Sequence, residues 1–310
     1  MRVHVVVTGS AGFLGSAVVN ALVAAGRPVL AIDRREGAGV PAAADPVTRL
    51  RADLLDPDSR VSAGLREASA VIHLAGCPGV RDEAPDIATR RARDNVGATA
   101  RVLALVPRDV PVLVTSSSSV YGGSRGVPSR ETDPLSPLGG YARSKARVEA
   151  LCARRAATGG LVTVVRPFTV VGEGQRPDMA VSRWVAAALA DLPLHVYGSL
   201  DRTRDLTDVR DVARALATLA EPGRAPGGVV NIGTGTPRSL GEVVEVVRSV
   251  TGTTARTVVV PAAAEEPPDT WACTRRLEDV LGYVPSTDLH DVVARQAAVT
   301  SSARQMAAAS

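Results

Sequence analysis

Lysine is almost missing from this sequence. Of its 36 basic residues only Lys145 is a lysine, which leaves 35 arginines. Where arginine serves nearly every need for a cation, the one exception points to chemistry that guanidinium cannot do, because an ammonium is a compact charge whose pKa can shift. Cysteine is also sparse. Cys77, Cys152 and Cys273 form no CxxC pair and show no metal-ligand spacing, and their odd number argues against a disulfide framework, which leaves reduced core thiols and no metal expected. No apolar run reaches the roughly 18 residues that would cross a bilayer, and the first apolar run starts directly after Met1 with no room for a signal peptide, so a cytoplasmic protein with no membrane partner is expected. A large excess of charge is missing too. The formal +4 comes from basic residues scattered among 32 acidic ones, which argues against a nucleic-acid partner.

What is present is a regular alternation. Short Val-rich runs (Val3 to Val7, Val29 to Ile32, Val71 to Leu74, Val112 to Val114, Val162 to Val165, Val229 to Ile232) alternate with helical stretches at 13 to 25, 86 to 105, 141 to 156 and 209 to 220. This is the pattern of βαβ units feeding a parallel sheet, an α/β fold. Beyond Pro167 prolines divide shorter elements, which reads as a smaller domain over the sheet's carboxyl edge, and the Ala- and Ser-rich tail after about 299 is expected to fray. The expected division is 1–166 for a nucleotide domain, completed by about 196–235, and 167–310 mostly for a substrate domain.

The first run leads into Thr8-Gly9-Ser10-Ala11-Gly12-Phe13-Leu14-Gly15 and then a helix-compatible segment. Glycines at this spacing allow a tight turn and close approach to a pyrophosphate, and the helix start supplies N–H groups and positive dipole. Asp33, 18 residues past Gly15, would accept hydrogen bonds from an adenosine ribose. Arg34 and Arg35 follow it and could embrace a 2′-phosphate, but the adjacent carboxylate would repel that group, so NAD is expected rather than NADP. Asp53 could either hold the adenine amino group or cap a turn. His73, inside an apolar run, reads as a satisfied core histidine.

Tyr141 and Lys145 open a helical stretch on one face, four residues apart. An ammonium beside a phenol favours the phenolate, which makes a base usable near neutrality. Ser117, in the serine run that ends an upstream strand, could bond the same substrate oxygen.

With these residues in place the chain resembles the extended short-chain dehydrogenase/reductase superfamily, the NAD-dependent nucleotide-sugar epimerases and dehydratases. The ordered blocks run from the glycine turn through His73-Leu74-Ala75, Asn95, the serine run, Tyr141 to Lys145, Arg204-Asp205-Leu206-Thr207 and Asn231-Ile232-Gly233-Thr234-Gly235; the only two phenylalanines, Phe13 and Phe168, both fall inside family blocks. The resemblance implies a Rossmann-type doubly wound parallel sheet with a smaller C-terminal substrate-binding domain. It implies Ser117, Tyr141 and Lys145 as the catalytic residues. NAD would lie against Gly9, Gly12, Phe13, Leu14, Gly15, Asp33, Arg34, Asp53, Leu54, Leu74, Ala75 and Asn95 as well as Tyr141 and Lys145. Arg204 would bind a diphosphate, and a homodimer would form through the helices near 86 to 105 and 141 to 156.

Within that family, dehydratases carry an Asp-Glu pair where this chain has Ser118 and Ser119, so no acid for water elimination is evident. The blocks Gly79-Val80-Arg81 and Arg166 to Ala180 look most like UDP-glucuronate 4-epimerases, which implies sugar contacts from Arg81, Ser118, Ser119 and Thr169, with Arg176 facing the sugar carboxylate; the alternative for Arg176 is a surface charge in a loop. The stretch Glu265 to Cys273 is a shortened form of a family Gly-Asp turn, with Asp269 left as its substrate contact, and Asp208 and Arg210 stand where relatives carry an aromatic and an acid. The function expected is NAD-dependent C4 epimerisation of a nucleotide sugar, UDP-glucuronate/UDP-galacturonate or a related UDP-hexose, with no net redox change because the hydride returns to the sugar. The rivals are a 4-ketoreductase of deoxysugar nucleotides and a non-catalytic nucleotide sensor.

Overall fold

The computed structural model describes residues 4–36, 47–79, 84–263 and 265–308. Seven parallel strands form one sheet: β1 (Val5–Thr8), β2 (Val29–Asp33), β3 (Val47–Arg51), β4 (Ala70–His73), β5 (Val112–Thr115), β6 (Val162–Pro167) and β7 (Gly228–Ile232). Their spatial order is β7-β6-β5-β4-β1-β2-β3, so the chain starts in the middle, winds out to one edge, returns and winds out to the other. That is the Rossmann-type doubly wound fold, and the crevice lies at the carboxyl ends of the strands where the winding reverses, between β1 and β4.

Val, Ile and Leu dominate the inner strands because both faces are covered by helices. On one face α1 (Phe13–Ala24) and α7 (Val209–Leu219) pack together, with Val18, Leu22, Val212 and Leu216 all buried against β1 and β7. On the other, α2 (Ser59–Glu67), a helical stretch from Ile87 to Leu105 and α5 (Gly139–Ala157) cover the sheet through Leu65, Val102, Val148 and Cys152. The short α9 (Arg275–Leu281) adds Leu277 to the first of these faces, and a separate apolar cluster joins α6 (Ala180–Ala188), α8 (Leu240–Thr251) and α10 (Leu289–Ala308) around Trp184, Val244 and Val293.

Several features depart from the sequence reading. Strand β3 was not expected, because Val47-Thr48-Arg49-Leu50-Arg51 holds only two apolar residues and no Val-rich run; it is an edge strand with only Leu50 buried, and edge charge discourages pairing with another chain. The helix expected at 86 to 105 is divided into α3 (Ile87–Arg91), a π-helical turn (Ala92–Gly97) and α4 (Ala98–Leu105). The wider turn carries Asp94 and Asn95 inward, and both are buried. The tail expected to fray after 299 instead continues α10 to Ala308. Its first turns are pinned by buried Val292, Val293 and Gln296, and a chain rich in Ala, Arg and Gln propagates helix readily from such an anchor. α8 also escaped the sequence reading, although Ser239 and Glu242 form a complete capping box at its start.

Arg155, near the end of α5, is buried with no acidic partner among the described residues. Its guanidinium donates instead to five carbonyls, those of Leu161, Leu103, Val106, Pro107 and Val110, at 2.7 to 3.3 Å. It thus terminates α4, the following turn and the entry to β6 together. An Arg155→Lys variant keeps the charge but offers at most three donors in a different geometry. A loss of about 2 kcal/mol is expected in its unfolding free energy from denaturant titration, and more in Arg155→Ala; unchanged unfolding free energies for both would refute the clamp.

Candidate active site

A continuous cleft of about 1020 Å³ opens at the carboxyl ends of the strands. That is room for a dinucleotide and a second ligand together. The site residues read from the sequence converge on it: Gly9, Gly12, Phe13, Leu14, Gly15, Asp33, Arg34, Asp53, Leu54, Leu74, Ala75 and Asn95 line one end, and Ser117, Ser118, Ser119, Tyr141, Lys145, Thr169, Arg176 and Arg204 line the rest. Asp269 does not. Its Oδ1 accepts from the backbone N–H (3.0 Å) and hydroxyl (2.9 Å) of Thr203, so in place of the expected substrate contact it fastens the 265–270 stretch to the strand segment before Arg204. Arg81 lies outside the described residues.

The glycine turn fits a pyrophosphate for steric reasons. Gly9 has φ +72° and a side chain there would meet the Ala75 backbone nitrogen at 2.6 Å, while one on Gly15 would meet the Gly9 carbonyl oxygen at 2.0 Å. Turn, strand end and helix start are therefore in backbone contact. Asp33 caps this arrangement, Oδ2 accepting from Ala11 N–H (3.0 Å) and Oδ1 from Arg35 N–H (2.9 Å), and each carboxylate oxygen keeps a lone pair for a ribose hydroxyl. Together the cradle and the carboxylate suit NAD. The turn cap read for Asp53 is present, Oδ1 accepting from Leu55 N–H at 2.9 Å and Oδ2 from Arg93 at 2.7 Å, in a carboxylate that also lines the cleft.

His73 is the satisfied core histidine expected. The Thr99 hydroxyl donates to the Asn95 carbonyl, so its oxygen accepts from His73 Nε2–H (3.0 Å), and Nδ1 is left to accept from Thr8 (2.7 Å). Burial, helped by the charge of Lys145, pushes this imidazole down to about 3, which keeps it neutral. Asn95 is buried and serves as a brace: Oδ1 accepts from Cys77 N–H (2.6 Å) and Nδ2 donates to Cys77 O and to the Ser144 hydroxyl. It ties the loop after β4 to the helix that carries Tyr141 and Lys145.

Tyr141 and Lys145 share a face of α5, with the ammonium 5.9 Å from the ring centroid. Lys145 Nζ donates to the Thr115 carbonyl at the end of β5 (2.8 Å). The expected electrostatics need correction. Burial pushes the Tyr141 phenol above its ordinary value, and what draws it back is hydrogen bonding with Ser117 and the charges of Arg176 and Arg91, not a lone ammonium. Burial also lowers Lys145 itself, to about 8, against the smaller opposing influence of Cys152 and Glu149.

Behind these side chains is a buried network that sequence reasoning missed. Glu149, one turn past Lys145, accepts from Arg166 Nε and Nη2 (2.9 and 2.6 Å) and from the Ser116 hydroxyl (2.5 Å); Arg166 Nη1 donates to Tyr121 (2.7 Å), whose hydroxyl donates to Asn231 (2.7 Å). The spacing of four from Lys145 to Glu149 was the one available signal. On the substrate side, Arg176 is held by Asp178 through Nε (2.8 Å) and Nη2 (2.6 Å), and Arg204 donates to the Pro267 and Pro268 carbonyls beside Glu266. Asp205, fully buried, accepts from Thr234, Gly235 and Ala272, which explains why its motif and the Asn231-to-Gly235 motif occur together.

Because the chain has one lysine, protein carrying ¹³C-labelled lysine gives a single Nζ-adjacent signal. In protein freed of nucleotide this signal should titrate with a midpoint near 8. Its proton is shed as pH rises through that value, and folding gains stability between there and the ordinary 10.5, since the unfolded chain holds the proton longer. A midpoint at 10.5 would refute the desolvated ammonium.

No helix among the described residues is long and apolar enough to cross a membrane. A solved structure of MoeE5 with UDP-glucuronic acid and NAD is 38% identical, with a TM-score of 0.87 over 97% of this chain and 99% of that one. A UDP-glucuronic acid 4-epimerase from Bacillus cereus, solved with UDP-glucuronic acid and NAD, is 28% identical with a TM-score of 0.88 over 97% and 99%. A probable UDP-glucuronate 4-epimerase of Rhizobium meliloti is 30% identical over 93% of this chain and 94% of its own. Residues 5–233 match the NAD dependent epimerase/dehydratase family, and the chain, an NAD-dependent enzyme of the epimerase type, belongs to that family.

Proposed function

We propose that the protein interconverts C4 epimers of a UDP-linked uronic acid, UDP-glucuronate and UDP-galacturonate. The observation that carries this reading is the placement of Arg176, a guanidinium on the cleft wall near enough to Tyr141 for its charge to act on the phenol. A planar fork beside the proton-transfer group suits a sugar carboxylate, which would take the two-point pairing that Asp178 makes. Relatives whose structures hold UDP-glucuronic acid support the same substrate.

NAD, held by the glycine turn and Asp33, would supply the hydride acceptor and donor for C4. The chain's own residues manage the proton and the pose. Ionised Tyr141 accepts the proton of the 4-hydroxyl as the C4–H bond breaks, and gives it back when the 4-keto group is reduced on its other face. Ser117 steadies the same oxygen, and Lys145, held on Thr115, keeps positive charge within reach of the phenol ring. Ser118 and Ser119 supply no carboxylic acid to expel water. Arg176 restrains the carboxylate, which also opposes decarboxylation of the β-keto acid.

Purified protein incubated with UDP-glucuronate should invert the sugar C4 centre, visible in the proton NMR couplings, without net change in NAD. No inversion with or without added NAD rejects the substrate. Tyr141→Phe should lose at least about 100-fold in turnover while still binding nucleotide. Arg176→Ala should raise KM for UDP-glucuronate about tenfold or more and leave binding of UDP-glucose little changed; equal weakening of both would count against the carboxylate contact.

A further inference from the structure

Each arginine after Asp33 has a carboxylate of its own. Arg34 reaches from the end of β2 to Asp94 in the π turn, with Nη1 to Oδ1 at 3.3 Å and Nη2 to Oδ2 at 3.0 Å, and its Nη1 lies 3.6 Å from Asp53 Oδ2. Arg93 closes the circuit, placing Nη1 2.5 Å from Asp94 Oδ1 and Nη2 2.7 Å from Asp53 Oδ2. Two guanidiniums and two carboxylates thus neutralise one another at the adenosine end of the cleft. Arg35 is directed elsewhere. Its Nε lies 3.6 Å from Asp33 Oδ1, and its Nη2 is 3.8 Å from the point where a Gly12 side chain would begin, so it leans over the glycine turn.

We propose that Asp94 is a specificity-determining residue: by holding Arg34 in a two-point ion pair it withholds the guanidinium from the space beside Asp33, so the cleft accepts a dinucleotide with a free 2′-hydroxyl and rejects one with a 2′-phosphate. The inference rests on a dinucleotide occupying this cleft. A 2′-hydroxyl needs an acceptor, which Asp33 provides. A 2′-phosphate needs a cation, and to supply it Arg34 must break two charge-assisted bonds and leave buried Asp94 with Arg93 alone. The incoming phosphate would then share its surroundings with the carboxylates of Asp33, Asp53 and Asp94, at a site where net charge is balanced only while the pair stays closed. The π turn is what aims Asp94 at the cleft, since this residue is buried in the stretch where the helix widens.

The test is equilibrium binding of NAD+ and NADP+ to the full chain, freed of nucleotide, measured by calorimetry at fixed salt. The Asp94→Asn variant keeps the shape and one acceptor but loses the charge that holds Arg34. It should bind NADP+ about tenfold or more tightly than the parent does, and adding Arg34→Ala should cancel the gain. No gain in Asp94→Asn, or a gain that survives removal of Arg34, overturns the proposal. Asp53→Asn removes the second carboxylate beside Arg34, retains the Leu55 cap, and is judged by the same two outcomes if Asp94→Asn does not fold. NAD+ binding by the parent is the separate check on the cleft itself: its absence would remove the dinucleotide reading, whereas its presence with no change in NADP+ affinity removes only the role of Asp94.

Discussion

The buried ion pair between Arg166 and Glu149 is the constraint on which the site depends. One partner stands at the end of β6 and the other on α5, and both are more than nine-tenths buried. Buried charges are tolerated only where geometry and hydrogen bonding are complete. Here they are: the guanidinium meets the carboxylate at two points, Ser116 satisfies the carboxylate further, and Tyr121 takes the remaining arginine nitrogen. Burial raises the Tyr121 phenol to about 12, so it stays a donor and passes the chain of bonds to Asn231 on β7. In consequence Ser117, next to Ser116, and Lys145, one turn before Glu149, are set by the same few bonds. A shift of α5 along its axis would break a two-point pair in an apolar interior.

The contrast between Tyr121 and Tyr141 shows how environment separates two phenols. Both are raised by burial, but Tyr121 is locked among neutral and charged partners within the protein. Tyr141 lines the cleft, where Ser117 and two guanidiniums counter its burial. Burial also brings the lone lysine down to about 8, and the charges that draw the Tyr141 phenol down include Arg176 and Arg91, which the spacing of Tyr141 and Lys145 does not indicate.

Much of this was legible from local pattern. Val-rich runs marked six of the seven strands, because inner strands of a parallel sheet are apolar on both faces. β3 escaped because an edge strand needs no such run. The glycine turn, Asp33, the serine run and Tyr141 with Lys145 were legible because backbone sterics and proton transfer restrict residue type at fixed short spacing. What could not be read were long-range pairings: Arg34 with Asp94 and Arg166 with Glu149 join residues whose proximity exists only after the sheet is assembled. Asp269 was misread for the same reason, since its partner Thr203 is 66 residues away in the chain. The π turn leaves no mark on apolar periodicity over so few residues, yet it decides where Asp94 and Asn95 point.

The sheet's last strand comes late. β7 pairs with β6 along five residues, yet the polypeptide first leaves through α6 and α7 before returning to make that edge. Until residues 228–232 return, β6 has one unpaired edge, and the backbone N–H and C=O groups of Val162 to Pro167 are open to any other strand that meets them. The order of the chain thus sets a period of vulnerability that the finished molecule conceals.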